Sequence, residues 1–144
     1  MTAKDFLSQA YRIDQRINSK LEQVQSLREL ATKATATLSD APAGGNRNVH
    51  SMGEIIGKMI DLEAEINADI DRLVDLKREI VTLVNQVANH ERQTLLELRY
   101  LCFKKWEEIA VAMGYGLHHL YKIHNRALDD ISAVMEKRIP KDIV

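Results

Sequence analysis

Apolar side chains return at Phe6, Ala10, Ile13, Ile17, Leu21, Val24, Leu27, Ala31, Ala34 and Leu38, nine steps across 32 residues. The mean step of about 3.6 is the repeat of one face of a continuous helix. Thr2 and Asp5 stand at capping-box spacing just ahead of it, with Asp in the usual place of Glu. A second stripe runs through Met52, Ile55, Met59, Leu62, Ile66, Ile70, Leu73, Leu76, Ile80, Leu83 and Val87, ten steps in 35 residues. Its mean of about 3.5 is the coiled-coil repeat. Ser51 and Glu54 form a second capping box. Between the stripes lies "SDAPAGGNRNVHS", residues 39–51, where Pro42 and the Gly44–Gly45 pair predict a loop.

The pattern therefore predicts helices over 3–38 and 52–87, each about 54 Å long at ~1.5 Å per residue. Equal lengths on a flexible loop imply an antiparallel, coiled-coil-like hairpin. Leu7, Leu30, Ile56, Ile60, Val74, Val81 and Val84 widen the apolar stripes in patches. A two-helix seam is marginal alone, so the surplus is expected to pack against a second copy, a dimer in the simplest case. Asp61, Glu63, Glu65, Asp69, Asp71 and Asp75 form an acidic run on the second helix. It reads as a solvated face, or as one that keeps the arm off nucleic acid or docks a basic partner.

After residue 88 the repeat changes character. "NHERQ" offers a polar bend, and "LLELRYLCF" then supplies Leu95, Leu98, Leu101 and Cys102 as apolar positions. Trp106–Met113 reads as a short helix burying Trp106, Ile109, Ala110 and Met113. Gly114 ends it, Tyr115–Gly116 turn the chain, and a second helix follows. Helix, glycine turn and helix form the helix-turn-helix signature. The expected organisation is all-α: residues 1–88 a helical hairpin and oligomerisation arm, residues 89–144 a helix-turn-helix domain.

Composition narrows the function. Two prolines and six glycines in 144 residues suit an all-helical chain, and a net charge of −1 gives no overall basic field. The charge is slightly uneven, with 9 Lys/Arg against 8 Asp/Glu after residue 88 and 11 against 13 before it. Cys102 is the only cysteine, which rules out an internal disulfide and a thiolate metal cluster; it is expected in the core. No apolar run nears the ~20 residues of a membrane helix, and no signal-peptide core begins the chain, so a cytoplasmic protein is expected. Paired carboxylates in an apolar setting, a phosphate-cradling loop and a nucleophile with a base are all missing, so no enzyme and no cofactor are expected.

The helix after the glycine turn carries the candidate chemistry. At ~100° per residue, Leu120, Ile123, Ala127 and Ile131 share one side, the core side. His118, Lys122 and Asn125 point the opposite way, with Tyr121 on one flank and His119 and Arg126 on the other. No acid interrupts them before Asp129. Such a face suits a recognition helix over about 117–129: His, Lys and Asn bond base edges in the major groove, while Tyr and Arg reach phosphates. The competing reading is a polar helix that meets only water. His124 lies ~40° from the core direction, so a partly buried, hydrogen-bonded histidine is favoured over a DNA ligand. No two imidazoles stand one helical turn apart in a shared direction, which argues against a metal site.

Leu95–Leu128 resembles the region-4 module of bacterial sigma factors and related phage and prophage regulators. The shared pieces are "LxLRY" at Leu96–Tyr100, "WEEIA" at Trp106–Ala110, the turn at Gly114 and "RAL" at Arg126–Leu128. They cover about the last third of the chain. With its long helical N-terminal part, the whole is similar to small phage-encoded regulators of late genes. The resemblance implies a DNA-binding transcriptional regulator in a bacterial host cell, double-stranded DNA as partner, and contact with RNA polymerase. Where the family often carries Ser or Thr ahead of the two helices, this chain has Lys105 and Gly116. Glycine still caps at a cost of a few tenths of a kcal/mol; Lys105 caps poorly but can touch phosphate. Nothing resembles the sigma segment that melts promoter DNA, so a complete sigma factor is not expected. Two other readings stay open: an interaction protein that engages polymerase or a host regulator by sigma mimicry without touching DNA, and an oligomeric DNA-packaging subunit.

Overall fold

A computed structural model describes the backbone of residues 1–40 and 45–138 and the side chains of 1–36 and 52–138. Every element in it is helical: α1 (Ala3–Asp40), α2 (Gly45–Val84), α3 (His90–Leu96) running on into a π-helical turn (Glu97–Leu101), α4 (Trp106–Met113) and α5 (Leu117–Arg138). The expected all-α class is what the structure has. The Thr2–Asp5 box opens α1 as its spacing predicts, with the Asp5 amide donating to Thr2 Oγ1 at 3.1 Å and the Thr2 amide to Asp5 Oδ2 at 3.3 Å.

Three boundaries differ from the sequence reading. Ser39, Asp40 and Gly45–Ser51 are helical although residues 39–51 read as loop; residues 41–44 lie outside those described. Propagating an existing helix costs little per residue compared with nucleating one, so the apolar repeat of α2 extends backward through weak formers. Ser51–Glu54 is therefore helix interior rather than a start. At its other end α2 stops at Val84, short of the expected 87, in a turn where Gln86 N–H donates to Leu83 O at 3.1 Å and Val87 N–H to Val84 O at 3.0 Å. Asn89 then caps α3, its side chain accepting the Arg92 amide at 2.9 Å.

The chain forms two compact units, Met1–Arg12 with Leu73–Val144, and Ile13–Arg72. The reason lies in the apolar residues near the ends of α1 and α2. Ala3, Leu7 and Ala10 from α1 and Ile80, Leu83 and Val84 from α2 join Val87, Leu96, Tyr100, Ala127 and Ile131 in one buried cluster. Leu7 and Val84, read from the sequence as surplus beside the seam, are fully buried there.

A second cluster in this unit holds Leu95, Ile109, Leu120 and Ile123, flanked by Leu98, Trp106, Ala110, Met113 and Tyr115. Neighbouring residues Leu95 and Leu96 thus face two different cores, with α3 as the wall between them. The π turn continues this arrangement. Its wide ring closes where Cys102 N–H donates to Glu97 O at 3.0 Å, and Lys104 N–H reaches Leu98 O at 2.9 Å. The extra residue swings Cys102 outward: it is exposed, not in the core as its flanks Leu101 and Phe103 had implied. Phe103 takes a left-handed φ of 57°, unusual without glycine. Tyr11 packs on its ring at 5.6 Å and the Lys77 ammonium sits 4.7 Å above it, while Lys77 Nζ donates to Leu101 O at 3.1 Å.

In the other unit α1 and α2 run antiparallel along a single seam containing Ile17, Val24, Ile55 and Ile66. A strict seam alternates steps of three and four, so it passes through positions 20 and 69. Those are Lys20 and Asp69, whose side chains meet at 2.6 Å with only 15% and 7% of their surface exposed. Leu21 and Ile70, assigned to the stripe from the sequence, lie outside at 49% and 41% exposure. Asp69, assigned to the solvated acidic run, is buried instead. Its carboxyl is held below the usual carboxylate range, mainly by the hydrogen bond from Lys20.

Candidate nucleic-acid interface

The candidate helix-turn-helix comprises α4, the turn at residues 114–116, and α5. α4 starts at Lys105, whose backbone N–H donates to Glu108 Oε1 at 3.3 Å. Glu108 supplies half of a capping box; the ammonium of Lys105 has no lone pair to supply the other half. α4 ends at Gly114, with φ 74° and ψ 33°. The Gly114 and Tyr115 amides both donate to Ala110 O, at 2.9 and 3.0 Å. A Cβ at Gly114 would meet no atom, so the requirement for glycine there is conformational, not spatial. Gly116 opens α5, its carbonyl accepting the Leu120 amide at 3.0 Å.

The two helices close on Ile109 and Leu120, both fully buried, with Ile123 beside them. Ala127 and Ile131 continue the same side of α5 into the other cluster. The core direction read from the sequence is the one observed, and it fixes what faces out. His118, His119, Tyr121, Lys122, Asn125 and Arg126 are all exposed. Among the described residues, the side chains of His118, Lys122, Asn125 and Arg126 enter no hydrogen bond or ion pair. The flanks are held more firmly. Tyr121 lies edge-on to Trp106 at 5.2 Å, and His119 edge-on to Tyr115 at 4.6 Å. Tyr115 is anchored in turn by its hydroxyl, which donates to Glu91 Oε2.

His124 sits beneath this face, as its position on the helix predicted. It is 6% exposed, and its Nε2 lies 2.6 Å from Tyr100 Oη, with Trp106 edge-on at 4.6 Å. Burial lowers its pKa to about 4, with the charges of Lys4 and Arg99 acting the same way. Burial also raises Tyr100 to about 12. The pair is therefore neutral, with Nε2 able to accept the phenol proton. It serves as a buried strut behind the exposed surface, not as a ligand.

Lys105, the remaining candidate, is exposed but does not join the α5 group. It lines a small depression with Ser8, Tyr11, Arg99, Tyr100 and Phe103. Arg99 stacks over Trp106 at 4.7 Å and donates to Lys104 O at 3.0 Å. Lys4 and Arg99 are cations here that the sequence reading missed. Only chain topology brings residue 4 near α5, although Arg99 was visible within the "LxLRY" motif. At the far end of the face Asp130 is paired with Arg92 at 2.9 Å, which leaves Asp129 as the exposed acid there.

Among the described residues no group of His, Cys, Asp and Glu is placed to hold a metal ion, and no helix is long and apolar enough to cross a membrane. No family model, no curated protein and no solved structure matches this chain, so what the surface can do follows from its own residues.

Proposed function

We propose that the chain is a sequence-specific DNA-binding transcriptional regulator of phage or prophage type, working as a homo-oligomer in the cytoplasm of a bacterial host. α5 enters the major groove by its N-terminal half. His118, Lys122 and Asn125 meet base edges, Tyr121 and Arg126 meet phosphates, and Lys105 adds a phosphate contact from the start of α4. The observation that carries this reading is the exposed, unpaired polar side of α5 directly after the Gly114 corner. A helix braced by Ile109, Leu120 and the Tyr100–His124 pair offers that side as a rigid surface, which lowers the cost of binding.

Selection from pooled DNA fragments with the purified chain should return one motif. On that motif Lys122→Ala should weaken binding by roughly tenfold and relax preference at one base pair. Arg126→Ala should weaken it across all sequences and lower the salt slope by about 1. Wild-type affinity in both variants, with helicity unchanged, would remove the assigned face.

One observation favours a second reading, in which the unit engages RNA polymerase by sigma mimicry. Val111 on α4 is 85% exposed, one helical turn from exposed Glu107, an apolar and acidic side better suited to protein than to phosphate. Gel shifts with and without polymerase separate the two: mimicry predicts a shift only when polymerase is present.

A further inference from the structure

The hairpin unit Ile13–Arg72 has two unlike flanks. One is lined by Ser19, Glu22, Gln23, Ser26, Lys58, Asp61 and Glu65 around the edge of the Leu27–Leu62 seam, and it is polar with excess acid. The other is lined by Leu21, Val24, Gln25, Arg28, Glu63, Ile66 and Asn67. Its charges balance, one cation against one anion. On the side of α2 that carries Glu63 and Asn67 stand Ile56, Ile60 and Ile70, with 48%, 60% and 41% of their surface exposed. Apolar side chains this open, repeating along one helix side, mark a contact surface.

The order of residues on that side identifies the occupant. At ~100° per residue, Ile56, Ile60, Glu63, Asn67 and Ile70 all fall within ~40° of the direction opposite Glu65. Ile60 and Ile70 lie equal distances before and after Glu65, about 7.5 Å along the axis, and Glu63 and Asn67 lie equally spaced inside them. The row reads the same from either end: isoleucine, polar, polar, isoleucine. A two-fold axis crossing α2 at the level of Glu65 would set Ile60 beside Ile70 of a second copy and the Asn67 amide beside the Glu63 carboxylate. Asn67 can donate what Glu63 accepts. Self-complementary surfaces of this kind are the condition for a closed dimer.

We propose that two copies of this chain associate through this flank of α2, antiparallel and centred on Glu65, with Leu21 of α1 at the edge of the contact. The acidic flank stays outside because two copies of it would repel each other. The association is a property of the hairpin unit and does not depend on whether α5 meets DNA.

The test is sedimentation equilibrium of the full chain without DNA, with far-UV circular dichroism to confirm folding. The wild type should be a dimer at micromolar concentration. The double variant Ile60→Glu with Ile70→Glu should dissociate at least about tenfold more readily, since like charges then meet twice across the axis. Ile60→Glu with Ile70→Lys should recover dimerisation to within a few-fold of wild type, because each introduced carboxylate then faces an introduced ammonium. A monomeric wild type would overturn the proposal, as would an undiminished dimer in the Glu/Glu variant. Failure of the Glu/Lys variant to recover would overturn the antiparallel register, since a parallel pairing sets like charge on like. None of these outcomes alters the DNA experiment with Lys122 and Arg126.

Discussion

The two compact units are made from the same two long helices, yet they are held together differently. Leu7, Ile80, Leu83, Val84, Leu95, Leu96, Ile109, Leu120 and Ile131, the largest fully buried side chains, all belong to the unit that carries α4 and α5. The hairpin unit has none of them, and its most protected seam residues keep about 5–7% of their surface open. Where α3, the π turn, α4 and α5 supply further layers, an apolar residue beside the α1–α2 seam is covered. Where they do not, its counterpart is left in solvent. Leu7 and Val84 against Leu21 and Ile60 make the contrast at the level of single residues. Burial here is decided by how many helices are near, not by how hydrophobic the stripe is.

The sharpest way to break that comparison is to cut equal side chains from the two units. Ile131→Ala leaves a cavity sealed on every side and should cost about 3–5 kcal/mol in chemical denaturation. Ile66→Ala opens onto a seam that can collapse and should cost about 2 kcal/mol or less. Equal losses would mean that the hairpin seam is packed as tightly as the clustered unit.

A smaller effect is expected from the polar layer in the seam. Asp69→Ala strands the Lys20 ammonium and should destabilise the chain by about 1.5–3 kcal/mol, the range for hydrogen bonds to charged groups. Lys20→Met combined with Asp69→Leu should be neutral or stabilising, because the desolvation of both charges disappears with them. A double variant as damaged as the single one would contradict this account. The lowered pKa of Asp69 means that the pair's contribution is present above the unfolded pKa near 3.8 and fades as pH falls through the lower folded value.

In the clustered unit acid acts through His124. Its folded pKa of about 4 lies below the ordinary histidine value of 6.5, so the unfolded chain takes up a proton that the folded chain does not. Stability should therefore fall between pH 6.5 and pH 4, by about 2 kcal/mol at pH 5 relative to pH 7. His124→Gln keeps an acceptor for Tyr100 and cannot titrate, and urea midpoints measured across that range should flatten in the variant. A wild-type midpoint unchanged between pH 7 and pH 5 would place His124 in water.

The candidate surface was more legible in the sequence than the long hairpin. One uninterrupted wheel assigned Leu120, Ile123, Ala127 and Ile131 to the inside, and that assignment fixed the opposite side. His124 followed from the same angle. The errors within the hairpin seam share one cause, which is that hydrophobicity alone does not choose the register. Leu21 and Ile70 are more apolar than Lys20 and Asp69, but a two-helix seam selects by spacing, and two opposite charges can occupy a seam layer when they pair. Cys102 was misplaced because a wide helical turn is set by backbone hydrogen bonding to Glu97 and Leu98, which leaves no mark in residue type. The grouping of the helix ends into one cluster left no mark in residue type either. Which distant helix end a stripe will meet is a matter of topology, and Lys4 near His124 is an instance.

The placing of Leu95 and Leu96 on opposite sides of α3 ties the two clusters to a single stretch of backbone. Neither can loosen by itself, since a displacement of the peptide between these residues disturbs both at once. Amide hydrogens around Ile109 and around Ile80 should consequently exchange through one shared opening event, at a common rate. The corner at Gly114 would then stay closed for as long as the ends of the two long helices do.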